Sequence, residues 1–408
     1  MSTLETHAFG HADGGIVAAA GFSASGVCAG IKKSGKRDVC ILAAGKAVPA
    51  AAVFTTNAMA AAPVVVSREH IAGGTARAAV VNAGNANACT GEPGMADARA
   101  MAAACAGALG CAPGEVIVAS TGVIGVPLPM ELVLPGIAEA AEALDAADGD
   151  AAAEAITTTD TFMKQTALTV SAQGRTYTVG GMAKGSGMIE PHMATMLAFV
   201  TTDAPLTPEA CGAALRSANS LTFNRITVDG DTSTNDMCLL MASGAAGGPA
   251  IGEDSEAYTP VAAAIREVCE RLAKMIVRDG EGATKFVTVT VTGAASVADA
   301  ERAAFAIASS PLFKTAIFGG DANWGRVVMA VGKSGAQVDP AKVDVHFAGI
   351  LTCSGGTGLA FDEDAAARAL TEPEIEVSVD LHLGGGEAVV WTCDLSYEYV
   401  RINGEYRS

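Results

Sequence analysis

Residues 180–204 read GGMAKGSGMIEPHMATMLAFVTTDA. Two tendencies meet in this stretch. The glycines of its first half relax the backbone, whereas Met196-Leu197-Ala198-Phe199-Val200 is a short apolar run of the kind that forms a buried strand. The junction, Pro191-His192-Met193-Ala194-Thr195, places one hydroxyl at the strand's start, with a small alanine before it. A threonine there is ordinarily a β-former that packs, so its meaning depends on the chain around it.

Working outward, short apolar runs alternate with alanine-rich helical ones. The pattern predicts strands over 39–43, 52–56, 64–67, 78–82 and 116–120, and helices over 96–109 and 130–147. In the second half, strands are expected at 196–202, 225–228, 237–242, 286–292, 327–331, 374–380 and 387–393, and helices at 208–217, 260–277 and 297–308. Strands interleaved with helices argue for an α/β fold. GAAGGPAIGEDSEAYTP, 244–260, reads as an exposed loop. A boundary is expected near 285, after RDGEGATK, because the strands beyond it alternate like a half-exposed sheet: Thr288-Val289-Thr290-Val291-Thr292, then Glu374-Ile375-Glu376-Val377-Ser378.

The chain has 408 residues, half of them hydrophobic and only 17% charged, which fits a large, well-buried protein of two or three domains. A net charge of −18 makes nucleic acid and anionic membranes poor partners. Ten cysteines without a C-x-x-C pair, most in apolar segments, read as reduced core residues of a cytoplasmic protein. MSTLETHAFGHADGG has no basic and apolar regions of a signal peptide, and the longest uncharged stretch, Ala47 to Ser67, carries Pro49, Pro63 and Asn57, so no transmembrane helix is expected.

Several familiar chemistries fail on spacing. Gly332-Lys333-Ser334 ends like a phosphate loop, but Val327 stands where its first glycine belongs. Gly185-x-Gly187 precedes no helical periodicity. His7 and His11 are four apart in a turn-rich segment, and no metal is expected. No G-x-S-x-G elbow is present. Asp229-Gly-Asp231 and Asp279-Gly-Glu281-Gly read first as turns. TTTDT, 157–161, reads as a cap, and ASTGVIG, 119–125, as a strand-end turn whose freed N–H groups could face an oxyanion.

Taken together, however, STGVIG (120–125), TTTDT (157–161), KGSGMIEPHMATMLAF (184–199), DGDTSTND (229–236), VRDGEGATKF (277–286), GGDANWGR (319–326) and YVRINGEYRS (399–408) resemble, in order, the signatures of the ornithine acetyltransferase family, the glutamate N-acetyltransferases of arginine biosynthesis. The likeness runs from GFSASGVCAGIK at 21–32 to Ser408. It implies two sheets stacked between helix layers (1–284) with a smaller C-terminal α/β portion (285–408). It implies self-cleavage between Ala194 and Thr195, giving chains 1–194 and 195–408 that associate as α2β2. The freed α-amino group, with a reference pKa of about 7.7–8.0, would then serve as base for the Thr195 hydroxyl. The resemblance further implies acetyl transfer from N2-acetyl-L-ornithine to L-glutamate through acetyl-Thr195, with Thr121 and Gly122 as oxyanion hole and Thr161, Lys184, Thr195, Glu281, Asn403 and Ser408 as substrate contacts. No cofactor is implied, and acetyl-CoA stays open as a second donor. Two alternatives stand beside this reading: a DmpA-type self-processing aminopeptidase, and a non-catalytic binding protein on the same fold.

Overall fold

The computed structural model describes residues 8–147, 149–190 and 196–405. The strands of its first part are β1 (Phe9–His11), β2 (Phe22–Val27), β3 (Val39–Phe54), β4 (Thr75–Asn85), β5 (Val116–Val123), β6 (Lys164–Ala172), β7 (Arg175–Lys184), β8 (Leu197–Thr202) and β9 (Met237–Ala242). Its helices are α1 (Ala62–His70), α2 (Gly91–Leu109), α3 (Met130–Glu142), α4 (Gly149–Ala155), α5 (Pro208–Leu221) and α6 (Tyr258–Arg278). The nine strands join in the order β1-β6-β7-β8-β9-β3-β4-β5, with β2 also on β3.

β3 serves two layers. Its first part pairs with β2 and β4, and its last five residues, Ala50 to Phe54, pair with β9. The ladder to β4 shifts register between Ala43 and Val48, and a bulge of this kind bends and twists a strand. The sheet thereby folds into two stacked halves. Period-2 alternation then assigns every residue a side. Cys40, Leu42, Val81, Ile117 and Ala119 of one half meet Leu197, Phe199, Leu239 and Met241 of the other in a shared central core. The opposite faces are covered by helices: Val39, Ile41, Val80 and Val118 pack with Met101, Cys105 and Ile137 of α2 and α3, while Ala198, Val200 and Leu240 pack with Leu215, Val268 and Leu272 of α5 and α6. The layers are therefore helix, sheet, sheet, helix.

The second part holds β10 (Phe286–Ala294), β11 (Asp344–Phe347), β12 (Ile350–Ser354), β13 (Thr357–Gly358), β14 (Glu374–Asp380) and β15 (Gly386–Cys393), ordered β13-β12-β11-β14-β10-β15. Its helices are α7 (Val297–Ala308), α8 (Pro311–Phe318), α9 (Trp324–Lys333), α10 (Glu363–Ala369) and α11 (Tyr397–Glu405). Ala300, Ala303, Ala304 and Ile307 form the buried stripe of α7 against Val287, Val289 and Val291, in a core separate from the other three.

Several expectations are corrected. Residues 64–67 belong to α1, which starts with Pro63 in its first turn. Residues 327–331 belong to α9, where Val327, Ala330 and Val331 recur at helical spacing and Asn323 caps the N-terminus. Adjacent valines, Val64-Val65-Val66 in one and Val327-Val328 in the other, fit a strand as well as a helix. Residues 225–228 form no strand; a 3-10 turn over Phe223–Arg225 leads to an isolated bridge between Ile226 and Trp391. The runs at 39–43 and 52–56 are one strand, and the helix from Met130 ends at Glu142. Residues 164–184, where the sequence pattern predicts no strand, form the β6–β7 hairpin, and Gln173 and Gly174 (φ 50° and 72°) make the two-residue turn that suits a tight hairpin. No helix among the described residues is long and apolar enough to cross a membrane. All ten cysteines are free.

Candidate active site

β7 and β8 are antiparallel neighbours, with Lys184 opposite Leu197. Residues 185–196 thus connect two adjacent strands in the middle of the sheet. Ala194 and Thr195, the expected cleavage pair, and Ser408 lie outside the described residues. Met196, which directly follows Thr195, is 3% exposed, and its carbonyl accepts a hydrogen bond from Met237 N–H at 2.9 Å. A cavity of about 170 Å³ opens against Met196 and Leu197; Thr121, Gly122, Lys184, Glu281 and Asn403 also line it. Five of the residues singled out by resemblance therefore converge on one cavity, from β5, β7, the loop after α6, and α11.

Thr121 and Gly122 sit at the end of β5, where β4 runs parallel beside them. Gly122 has φ +133°, and a Cβ there would stand 2.3 Å from the Gly84 carbonyl carbon, so only glycine fits. The strand end is braced from behind. Ser120 Oγ donates to Asn82 Oδ1 (2.6 Å), and Asn235 Nδ2 donates to the carbonyls of Ser120 (2.9 Å) and Ala86 (2.6 Å).

Lys184 is 7% exposed, with Nζ 3.9 Å from Asp160 Oδ2. Burial pulls its ammonium below the usual lysine range, and Asp160 opposes that pull. Burial alone would raise the Asp160 carboxyl; Lys184 and Lys164 outweigh it and hold Asp160 well below the usual carboxylate range. Asp160 also accepts from Lys164 Nζ (2.6 Å), Gly185 N–H (2.8 Å) and Thr158 N–H (2.9 Å). Lys164 reaches Asp279 as well. The result is a buried chain of alternating charge, Lys184, Asp160, Lys164 and Asp279, of which Lys184 lines the cavity. Thr161 belongs to it rather than to the cavity wall: its N–H and hydroxyl both donate to Asp279. Thr158 and Thr159 of the same segment face the cavity instead.

Glu281 packs against Gly187, where a Cβ would come within 2.5 Å of its carboxylate. It accepts from Asn403 Nδ2 at 2.8 Å, and its N–H donates to the Ser186 carbonyl at 2.9 Å. Asp236, the last residue of DGDTSTND and not among the expected site residues, lines the same cavity at 3% exposure; its Oδ2 has no hydrogen-bond partner among the described residues. Burial lifts its carboxyl well above the usual range, against the Ser233 hydrogen bond and the Lys184 charge. Among the described residues, no group of three or more His, Cys, Asp or Glu side chains could hold a metal ion.

The arrangement offers a hydroxyl and an N–H side by side at a strand end, one buried cation and the carboxyl groups of Glu281 and Asp236, in the cavity that Met196 also lines. A profile of the ArgJ family matches residues 23–408. The chain is similar to the arginine biosynthesis bifunctional protein ArgJ of Symbiobacterium thermophilum, 55% identical over 397 residues, 97% of this chain and 99% of that one. A protein of the same name from Geobacter sulfurreducens is 52% identical over 389 residues, 95% and 99% of the two. The crystal structure of arginine biosynthesis bifunctional protein ArgJ from Bacillus halodurans matches with a TM-score of 0.51 at 46% identity, over 52% of this chain and 100% of that one.

Proposed function

The chain belongs to the ArgJ family, and we propose from that premise that it moves the acetyl group of N2-acetyl-L-ornithine to L-glutamate through an acetyl ester on Thr195. The observation that carries this reading is the single cavity in which Thr121, Gly122, Lys184, Glu281 and Asn403 meet beside Met196.

The chemistry begins with the chain cutting itself. Thr195 Oγ attacks the Ala194 carbonyl carbon; the new C–O bond replaces the C–N bond, and the hydroxyl proton ends on the liberated nitrogen. Water hydrolyses the ester, leaving a carboxylate on Ala194 and a free hydroxyl and α-amine on Thr195. That amine, titrating near neutrality, is the base a threonine otherwise lacks. In turnover it takes the Oγ proton as Oγ attacks the acetyl carbonyl, then passes the proton to the departing ornithine nitrogen. Glutamate's amine attacks the acetyl ester and the proton returns to Oγ. The Thr121 hydroxyl and Gly122 N–H stabilise the oxyanion in both halves, a donor each worth roughly 3–4 kcal/mol of barrier. Lys184 meets an α-carboxylate, Glu281 the ornithine ammonium, and Asn403 and Ser408 complete the substrate shell, while Thr161 stands behind it and holds Asp279 in the charge chain that ends at Lys184. Acetyl-CoA as a second donor, and α2β2 association of the two chains, belong to the same proposal.

The test is direct. N-terminal sequencing of the purified protein finds a chain beginning Thr-Met-Leu-Ala-Phe, and that chain gains the mass of one acetyl group on incubation with N2-acetylornithine alone. Thr195→Ala leaves one full-length chain without transferase activity. Two chains from that variant would overturn the assignment. Acetate release outrunning acetylglutamate formation would favour the hydrolytic alternative, and acetylglutamate formed from acetyl-CoA and glutamate alone would establish the second donor.

A further inference from the structure

Residues 227–237 contain DGDTSTND, whose last two residues, Asn235 and Asp236, brace β5 and line the cavity, and whose first four have been given no role above. They touch the chain on both sides of residues 191–195. On the upstream side, the Asp229 carboxylate accepts from Met188 N–H (2.6 Å) and Ile189 N–H (2.8 Å). Val228 N–H donates to the Ile189 carbonyl at 2.7 Å, and the Thr232 hydroxyl to the Glu190 carbonyl at 2.9 Å. Thr227 reaches the Glu190 side chain at 3.0 Å. On the downstream side, Met237 N–H holds the Met196 carbonyl. One short segment thus fixes where the chain leaves at Glu190 and where it returns at Met196.

Asp229 carries the upstream half of this splint. Met188 sits at φ +57°, in the left-handed region that side chains disfavour by about 1 kcal/mol or more. Two adjacent N–H groups pointing into one carboxylate hold that turn. Asp229 is not among the cavity-lining residues, whereas Met188 and Ile189 are.

We infer that Asp229 is a positioning residue for self-cleavage: it sets the upstream chain so that the scissile bond is presented to its own hydroxyl, and it keeps the new chain end docked after the cut. The inference rests on the self-cleavage reading.

The experiment follows conversion of freshly made full-length chain into two chains, for the parent, Asp229→Asn, Asp231→Asn and Thr232→Val. In Asp229→Asn, the amide can accept from one of the two N–H groups but turns a donor toward the other. It should cut about 10- to 100-fold more slowly, the scale on which small misplacements act on reactive geometry. Asp231→Asn makes the same charge change on an exposed neighbour and keeps the parent rate. Thr232→Val, the milder lesion, cuts several-fold more slowly. Molecules of Asp229→Asn that have cut should transfer acetyl with a kcat close to the parent's and a similar melting midpoint. Equal slowing by Asp231→Asn, or a parallel fall of midpoint and transfer in Asp229→Asn and Thr232→Val, would overturn the positioning role. A parent that cuts while Asp229→Asn keeps pace overturns this inference alone; a parent that never cuts overturns the self-cleavage reading and this inference with it.

Discussion

Glu281 faces the cavity with one carboxylate oxygen already bound to Asn403, so its remaining capacity is for a ligand. Glu281→Ala should lower kcat/KM for N2-acetylornithine about 10- to 100-fold, the worth of a charged hydrogen bond, while self-cleavage proceeds near the parent rate. Equal loss of both would assign Glu281 to the fold. Asp160 makes a second, pH-dependent prediction. Its carboxyl is depressed in the folded protein, so its contribution is present above the ordinary carboxylate pKa near 3.9 and is lost as pH falls through the depressed value. Asp160→Asn leaves Lys164 and Lys184 short of a buried partner and should destabilise by about 3–5 kcal/mol at neutral pH. In acid, where the parent carboxyl is protonated too, the difference should shrink; chemical denaturation at several pH values measures it. The sequence made Glu281, Lys184 and Asn403 legible only through ordered motifs. It hid the charge chain, because Lys164 and Asp279 meet across 115 residues and an aspartate beside a glycine looks locally like a turn.

Elements explain why some residues had no freedom. The end of β5 lies against its parallel neighbour β4 at Gly122 so closely that no side chain fits. Gly122→Ala should displace the strand end, abolish transfer and lower stability by roughly 1–3 kcal/mol; a variant with parent activity and melting midpoint would remove Gly122 from the site. The same level shows where sequence reading works. Strands with strict alternation, such as β10 and β14, were legible because both period and burial follow the pleat. α1 and α9 were not, since a few valines in a row fit either period until Pro63 and Asn323 are recognised as helix starts. β3 was broken in two by the polar tip at Gly45-Lys46, although its backbone runs on.

At the scale of the molecule, the layered α/β class was legible from interleaved strands and helices, but nothing local announced that one bent strand would serve both sheets. The proposed cut between Ala194 and Thr195 has a measurable outcome that follows from its place relative to those sheets. β7 lies upstream of it and β8 downstream, paired residue for residue from Val179–Thr202 to Lys184–Leu197. The two products should therefore travel as one particle in native mass measurement and part only under denaturant; separation in buffer would contradict the pairing. That shared ladder also gives the molecule a history. The uncut chain reaches its fold by a unimolecular search, whereas a processed molecule, once melted, can return only by collision between two strangers, at a rate set by concentration and loop-closure entropy no longer supplied by a tether. Heat damage that an uncut Thr195→Ala sample repairs on cooling should thus be permanent for dilute mature protein, which makes its shelf life a question of unfolding rate rather than of equilibrium.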